Sequence, residues 1–462
     1  MTGKAPDTHF PPFSLRVEIA ICAGLFFAVW FSHALSRNWT STDSRWTIPT
    51  ALSILDHRSA RLDQYAPLIE QDKFYAIDCL KGSTVIRPLH SLTQCAGGHL
   101  YNFYPIGVPV LAVPEVYIIR RFAAIANAVP WVSGLVKNPY RRRFLEGDLV
   151  DTHPLVEVLI ASFWIAMATV LTYLVARRML NPIRSVAIAL LFAFCTLAWS
   201  TASRALWQHG ASMLLISVAL WILVCAAHRP RWLAVAGFSL AFAIVVRPTN
   251  VVVFGAVLAY LLVTRSPGLS LFVAASAPVF VAFAAWSYSV YGFPVAPYYW
   301  PHRPGSNSLG LSGNFPVALV GNLISPGRGL FVFVPVFLLT PIGAFQFSAY
   351  AAYVRLRPFL IAALIGHWLL ISSFRDWWAG FSFGPRYFSD VTPLLVFLLM
   401  PLLAKRRAKG LLAVFVVLAV ISLAIQYRGA NRQAAFDWNR TPVSIDQNPQ
   451  RVWNWSDLAF FR

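Results

Sequence analysis

Eleven apolar runs, recurring from one end of the 462-residue chain to the other, limit its folds more than any other feature. They are Leu15–Leu35, Leu155–Ala176, Ser185–Trp199, Ala211–Ala227, Trp232–Val246, Val251–Val263, Leu269–Ser289, Gly329–Phe345, Phe359–Ser373, Val391–Ala404 and Leu411–Gln426. A hydrocarbon core about 30 Å thick is crossed by roughly twenty helical residues. No water is present there to bond the backbone, so an apolar run has to close its own hydrogen bonds as a helix. The runs therefore specify an all-α polytopic membrane protein with about 11 transmembrane helices. At 58% hydrophobic and 12% charged residues, the chain has too much apolar surface for a water-soluble fold of its length.

The formal charge of +20 would suit a nucleic-acid binder if the cations shared one soluble face, but they lie in the loops between runs. A membrane surface and an anionic ligand fit that distribution, and no nucleic-acid partner is expected. Arg exceeds Lys by 32 to 6, which suits bidentate recognition of phosphate and equally the codon bias of a GC-rich genome. Short loops rich in positive charge are retained in the cytoplasm. Arg177-Arg178 with Arg184, His228-Arg229-Pro230-Arg231, Arg265, Arg355 with Arg357, and Lys405-Arg406-Arg407 follow alternate runs. That order puts residues 1–14 inside, 15–35 across the membrane as an uncleaved anchor, and 36–154 outside as a long loop. Residues 155–426 form the membrane body, with further outer loops at 290–328 and 374–390, and 427–462 is an outer tail.

Within the first outer loop, Pro105–Asn127 is apolar but holds Pro109, Pro114, Glu115 and Arg120-Arg121. Those residues predict a kinked helix lying in the interface, with Leu111, Val116 and Ile119 turned to lipid. A second interfacial helix is expected at Pro49–Asp56. Proline suits the first helical position, so the nearer N-cap is Thr47 or Ser44, and the carboxylate of Asp43 is left for another task. Asp56 and Asp63 read as solvated helix-end and loop charges. Cys79 and Cys95 share this loop and suggest a disulfide formed in an oxidising compartment, whereas Cys22, Cys195 and Cys225 fall within runs.

Acidic residues are unevenly spread. Thirteen of the eighteen precede Val158 and none occurs from there to Asp376, so the membrane body is expected to hold cations without carboxylate partners. Arg204, Arg247, His302, Arg303, Arg328, Arg375 and Arg386 all fall on the outer side. A cation at a span end either snorkels or meets an anion, and seven on one side favour an anion such as phosphate. Ser325-Pro326-Gly327-Arg328-Gly329 and Phe383-Gly384-Pro385-Arg386-Tyr387 join close backbone approach to a cation, and each equally suits a plain turn. Tyr298, Tyr299, Trp300, Trp377 and Trp378 either stack on sugar rings or form an interfacial aromatic belt.

Thr42-Asp43-Ser44-Arg45-Trp46 leads into Pro49–Leu55 and is followed by Tyr104-Pro105-Ile106-Gly107. This order resembles the first outer loop of the GT-C membrane glycosyltransferases, in the branch of the lipid A aminoarabinose transferase and the protein O-mannosyltransferases. There an essential Asp lies just after the first span, ahead of interfacial helices. The resemblance covers the layout of residues 15–400. It implies an inverting glycosyltransferase that moves a sugar from a polyprenyl-phosphate donor to a lipid, glycan or protein acceptor, at the periplasmic face of a bacterial inner membrane. Asp43 is then the catalytic base and Arg204, Arg247, Arg328 and Arg386 bind the donor phosphate. Arg45, Tyr104, Gln208, His209, Trp377 and Trp378 are the expected substrate contacts. Many relatives carry an acid after the third span. Here Ser203-Arg204-Ala205-Leu206-Trp207-Gln208-His209 has none, which leaves Gln208 or His209 to meet the acceptor or a metal. Asp376-Trp377-Trp378 also departs from the Trp-Trp-Asp order of oligosaccharyltransferases, so transfer of a preassembled oligosaccharide is not expected.

One carboxylate suffices for such a donor. A glycosidase needs two because an alcohol leaves poorly unless protonated. A polyprenyl phosphate departs as an anion, so fixed positive charge from arginine, alone or joined by a divalent ion, takes over from the acid. Asp43 would take the acceptor hydroxyl's proton from the opposite side, which inverts the anomeric carbon. Two rivals remain. A flippase for lipid-linked sugars would need an intramembrane acid–base relay, which the acid-free body does not offer. An O-antigen-type polymerase shares the lipid-linked sugar and the outer arginines, but not the early Asp followed by interfacial helices.

Overall fold

The computed structural model describes residues 14–225, 229–300, 314–346, 348, 350–404 and 409–462, so His302 and Arg303 lie outside the described residues. After α1 (Leu15–Ala34) come α2 (Thr47–His57), α3 (Ala66–Gln71), β1 (Ile77–Lys81), β2 (Thr84–Ile86), β3 (His99–Asn102), α4 (Gly107–Ala128), α5 (Pro130–Leu135) and α6 (Pro139–Leu145). The body follows as α7 (His153–Ala176), α8 (Pro182–Phe194), α9 (Gln208–Cys225), α10 (Leu233–Val246), α11 (Val251–Val263), α12 (Leu269–Tyr291) and α13 (Phe315–Ile324). It continues through α14 (Leu330–Phe333), α15 (Thr340–Phe345), α16 (Ala351–Ser372), α17 (Thr392–Leu399), α18 (Pro401–Ala404), α19 (Lys409–Asn431) and α20 (Gln433–Asp437).

Seven described segments are long and apolar enough to cross a membrane: Leu15–Ala34, His153–Ala176, Gln208–Cys225, Leu269–Tyr291, Ala351–Ser372, Arg386–Ala404 and Lys409–Asn431. Shorter apolar segments run Pro182–Phe194, Pro230–Val246, Pro248–Val263, Phe315–Ile324 and Pro335–Phe345. Every expected run falls on one of these segments. Phe315–Ile324 is one more, inside the stretch 290–328 expected as an outer loop. α7 and α9 are largely buried at the centre, whereas α1 exposes Phe27 and Phe31, as a helix surrounded by lipid does. Proline breaks two of the runs. Pro335 and Pro341 divide Gly329–Phe345 into α14, a 3-10 turn and α15, and Pro393 leaves Arg386–Val391 as a 3-10 turn ahead of α17. A ring nitrogen without a hydrogen cannot continue the helical ladder, and such breaks persist where protein surrounds them. The 3-10 turn carries both Arg386 and Asp390.

The first loop differs from expectation in three ways. α2 starts at Thr47, two residues ahead of Pro49, and its N-cap, Trp46, makes no side-chain capping bond. Ser44, one of the two expected caps, instead donates its hydroxyl to Glu157. α4 does contain Pro114, but Val116 is fully buried, and Leu111 and Ile119 pack partly against the same cluster as Ile48, Val108 and Ala112. The stripe Val108, Ala112, Val116 faces α2, so the exposed apolar side is Val110, Tyr117, Ile118, Phe122 and Ile125. Finally, the loop is not all helical. β1, β2 and β3 form an antiparallel sheet in the order β2-β1-β3, with Cys79 opposite Leu100 and Gly82 at positive φ in the hairpin. The expected disulfide is present, Cys79 in β1 bonding Cys95 just ahead of β3.

The segment expected as a free outer tail begins inside α19, which runs to Asn431, and then folds back on the body. Gly327 N donates to Val452 O at 2.9 Å, and Trp378 Nε1 donates to Asp446 Oδ1 at 3.0 Å.

Candidate active site

Asp43 sits on the wall of a cavity of about 120 Å³ that Tyr104, Trp207, His209, Arg247 and Arg386 also line. The turn that carries it is anchored by Trp46, which is fully buried and donates its Nε1 hydrogen to Tyr75 O at 2.7 Å. Asp43 N donates to Ser41 Oγ at 2.9 Å. The carboxylate is gripped from two sides: Tyr75 OH donates to Oδ1 at 2.7 Å and Arg386 Nη1 donates to Oδ2 at 2.9 Å. Burial pushes this carboxyl's pKa up. The Arg386 charge and hydrogen bonding from Tyr75, Tyr104 and Arg386 outweigh that push and hold it below its ordinary value. Burial, and after it the same negative charge, raises Tyr75 and Tyr104, which stay protonated and able to donate.

Arg247 faces the cavity from the break between α10 and α11, where Pro248 ends the helix. Its Nε lies 2.7 Å from Asp390 Oδ2 and hydrogen-bonds Thr249 Oγ1 at 3.0 Å. Its Nη1 is 3.4 Å from both Gln208 Oε1 and His209 Nε2. His209 Nδ1 is 2.9 Å from Asp390 Oδ1, so the carboxylate fixes the tautomer with hydrogen on Nδ1 and leaves Nε2 as the acceptor beside Arg247. Both guanidinium groups flank the Tyr387 ring, Arg247 at 5.2 Å and Arg386 at 5.8 Å, and Arg386 also lies 4.7 Å over Trp207. Phe103, Tyr104 and Tyr298 complete an aromatic wall, with Gln208 Nε2 donating to Tyr298 OH at 3.4 Å. Arg386 Nε has no hydrogen-bond partner among the described residues, which leaves it a donor in reserve beside the cavity.

Of the predicted site residues, the fold brings together Asp43, Tyr104, Gln208, His209, Arg247 and Arg386. It keeps the others apart. Arg204 is fully buried and donates to Ser36 O, His33 O, Ser162 Oγ and Ser203 Oγ. Arg328, also buried, donates to Trp378 O at 2.6 Å, Gly327 O and Gly380 O at 2.8 Å and Asn439 Oδ1 at 2.7 Å. Ala379 and Gly380 both take positive φ, which turns the Gly380 carbonyl toward that guanidinium. Arg45 pairs with Asp72 at 2.6 Å. Trp377 packs on Gly321, where a Cβ would lie 2.2 Å from the indole, and Trp378 bonds Asp446. Asp56 and Asp63, expected to be free in solvent, pair with Arg120 at 2.7 Å and His99 at 2.8 Å. The expectation that cations of the body lack carboxylate partners fails at Arg247, because Asp390 lies four residues beyond Arg386 and turns inward with it. Tyr75, Trp207, Tyr387 and Asp390 are the site residues to which sequence reasoning gives no role of their own, whereas Tyr298, expected either to stack on sugar or to join the aromatic belt, lines the cavity.

Among the described residues no three His, Cys, Asp or Glu side chains gather as a metal cradle, and the carboxylates of Asp43 and Asp390 each already hold an arginine. That donor set does not fit a divalent ion held by the protein.

This architecture has a counterpart. The crystal structure of ArnT from Cupriavidus metallidurans bound to undecaprenyl phosphate superposes with a TM-score of 0.51 over 92% of this chain, at 13% identity. The fold is GT-C. The GT-C reading also agrees with a family model described as dolichyl-phosphate-mannose-protein mannosyltransferase, which matches residues 149–288. The chain spans 65% of ArnT's length. No curated protein sequence matches it significantly. The resemblance drawn from Asp43 and its neighbours therefore led to the right fold, and the matched segment begins in the last residues of the first outer loop, beyond Asp43.

Proposed function

We propose that the protein transfers a sugar from a polyprenyl-phosphate donor to an acceptor hydroxyl, with inversion, at the periplasmic face of a bacterial inner membrane. The observation that carries this reading is an ionised Asp43 held at a cavity wall that also presents Arg386 and Arg247. In the transfer, the acceptor oxygen bonds the anomeric carbon while its proton passes to Asp43. The bond from that carbon to the phosphate oxygen breaks, and polyprenyl phosphate leaves with the electron pair. Arg247 and Arg386 stabilise the charge that develops on the departing phosphate. The donor phosphate is assigned to these two arginines, because Arg204 and Arg328 are consumed by main-chain and side-chain oxygens elsewhere. Tyr104, Gln208 and His209 contact the sugar, and the Trp207, Tyr298 and Tyr387 rings offer stacking faces. The bound lipid of the ArnT structure supports a polyprenyl phosphate as the carrier.

The test is direct. Purified protein in lipid nanodiscs is given polyprenyl phosphates carrying a labelled hexose, pentose or amino sugar, together with extracts of membrane lipid, glycan and protein. Label should leave the polyprenyl fraction for one acceptor fraction. Label that stays on the carrier with every donor and every extract would refute the reading.

A further inference from the structure

The mechanism above gives no part to Glu157, a carboxylate in the first turns of α7 with none of its surface exposed. Its Oε2 accepts two hydrogen bonds, from Ser44 Oγ at 2.5 Å and from Leu206 N at 3.0 Å. Ser44 follows Asp43 directly. Leu206 directly precedes Trp207, the ring on which Arg386 rests. One oxygen thus ties the turn carrying the carboxylate to the turn carrying the platform of its arginine partner. Oε1 has no hydrogen bond among the described residues; His153 Nδ1 lies 3.7 Å away, beyond hydrogen-bond distance, and the Arg45 charge also acts on the carboxylate. No Arg or Lys forms an ion pair with Glu157 among the described residues. A buried carboxylate with so little compensation is unfavourable for folding. The arrangement does, however, fix two turns that face one cavity. The turn 203–209 has no acid of its own, and α7 brings one to it from another part of the chain.

We infer that Glu157 is a positioning residue for Asp43, holding the Ser44 and Leu206 turns in register so that the Asp43–Arg386 pair meets the reacting hydroxyl at the correct distance. The inference rests on the reading of Asp43 as the base. Misplacement of a reacting group by about 1 Å can lower turnover about a hundredfold. Glu157→Ala should therefore lose kcat on that order, while KM for the donor changes by no more than about twofold, because Arg247, held by Asp390 and Thr249, keeps its place at the donor phosphate. Glu157→Gln should recover most of the loss, since an amide oxygen accepts the same two bonds. Ser44→Ala should lower kcat by a smaller factor and add nothing when combined with Glu157→Ala.

The experiment measures kcat and KM for all four proteins beside Asp43→Asn. Wild-type kcat in Ser44→Ala and Glu157→Ala with Asp43→Asn inactive would overturn this inference and leave the transferase reading standing. Glu157→Gln as poor as Glu157→Ala would also overturn it, because charge and not position would then matter. Full activity in every variant, Asp43→Asn included, would instead remove the proposed function. If Glu157→Ala does not fold, Ser44→Ala alone decides.

Discussion

Replacing Arg328 by alanine separates a scaffold arginine from a phosphate-binding one. The side chain is buried and makes four hydrogen bonds of 2.6–2.8 Å to Trp378 O, Gly327 O, Gly380 O and Asn439 Oδ1. A hydrogen bond involving a charged group contributes about 1.5–3 kcal/mol, so four such bonds set a ceiling of roughly 6–12 kcal/mol. Bonds that share one guanidinium are not additive, and water can enter the vacated space, so a loss of about 4–5 kcal/mol is expected, at the top of the usual range for one substitution. Arg328→Lys should recover less than half, since an ammonium cannot span acceptors set for a planar fork. The assay is a denaturant titration in mild detergent, followed by donor kinetics on protein that remains folded. Stability should fall while donor KM stays within about twofold. A stable Arg328→Ala protein whose donor KM rises tenfold would refute the reasoning and return Arg328 to the site.

Arg386→Gln removes the cation that keeps the Asp43 carboxyl below its ordinary pKa against the opposing effect of burial. In the native protein the ionised pair contributes stability above the unfolded carboxyl's pKa and loses it only as pH falls through the lower, folded value. The acid limb of kcat/KM should therefore move to higher pH in Arg386→Gln, and an unmoved limb would contradict that pairing. Cys79→Ser opens a cross-link of sequence separation 16 and should cost about 3 kcal/mol in a chemical unfolding titration; unchanged unfolding would show the cross-link to be dispensable. In a background without Cys22, Cys195 and Cys225, Ile183→Cys should react only with a membrane-permeant thiol reagent and Asn454→Cys with an impermeant one. The reverse pattern would turn the site to the cytoplasm.

The apolar runs made the helical body legible because burial in lipid leaves one way to satisfy the backbone. Phe315–Ile324 escaped notice because ten residues between prolines and glycines look like loop, and β1–β3 because short strands buried without alternation leave no period to count. Asp43, Arg247 and Arg386 were found as charges at run ends, where any buried ion needs a reason. Arg204 and Arg328 met the same criterion and turned out to bond carbonyls. A sequence shows that an arginine must be neutralised, but not whether the oxygens that do it belong to the ligand or to the fold. Asp390 was passed over for the opposite reason. It was counted in a loop, and only the 3-10 turn ahead of Pro393 brings it to His209 and Arg247.

The central claim is that Asp43 accepts the acceptor's proton, and Asp43→Asn tests it most directly, since Asn keeps the size and a bond from Tyr75 OH but cannot take the proton. General-base catalysis contributes a factor of about 10²–10⁴. The variant should insert, fold and bind polyprenyl-phosphate sugar with turnover lowered at least that far, while Asp56→Asn and Asp63→Asn, whose carboxylates lie off the cavity on Arg120 and His99, remain active. Near-normal transfer by Asp43→Asn would contradict the account.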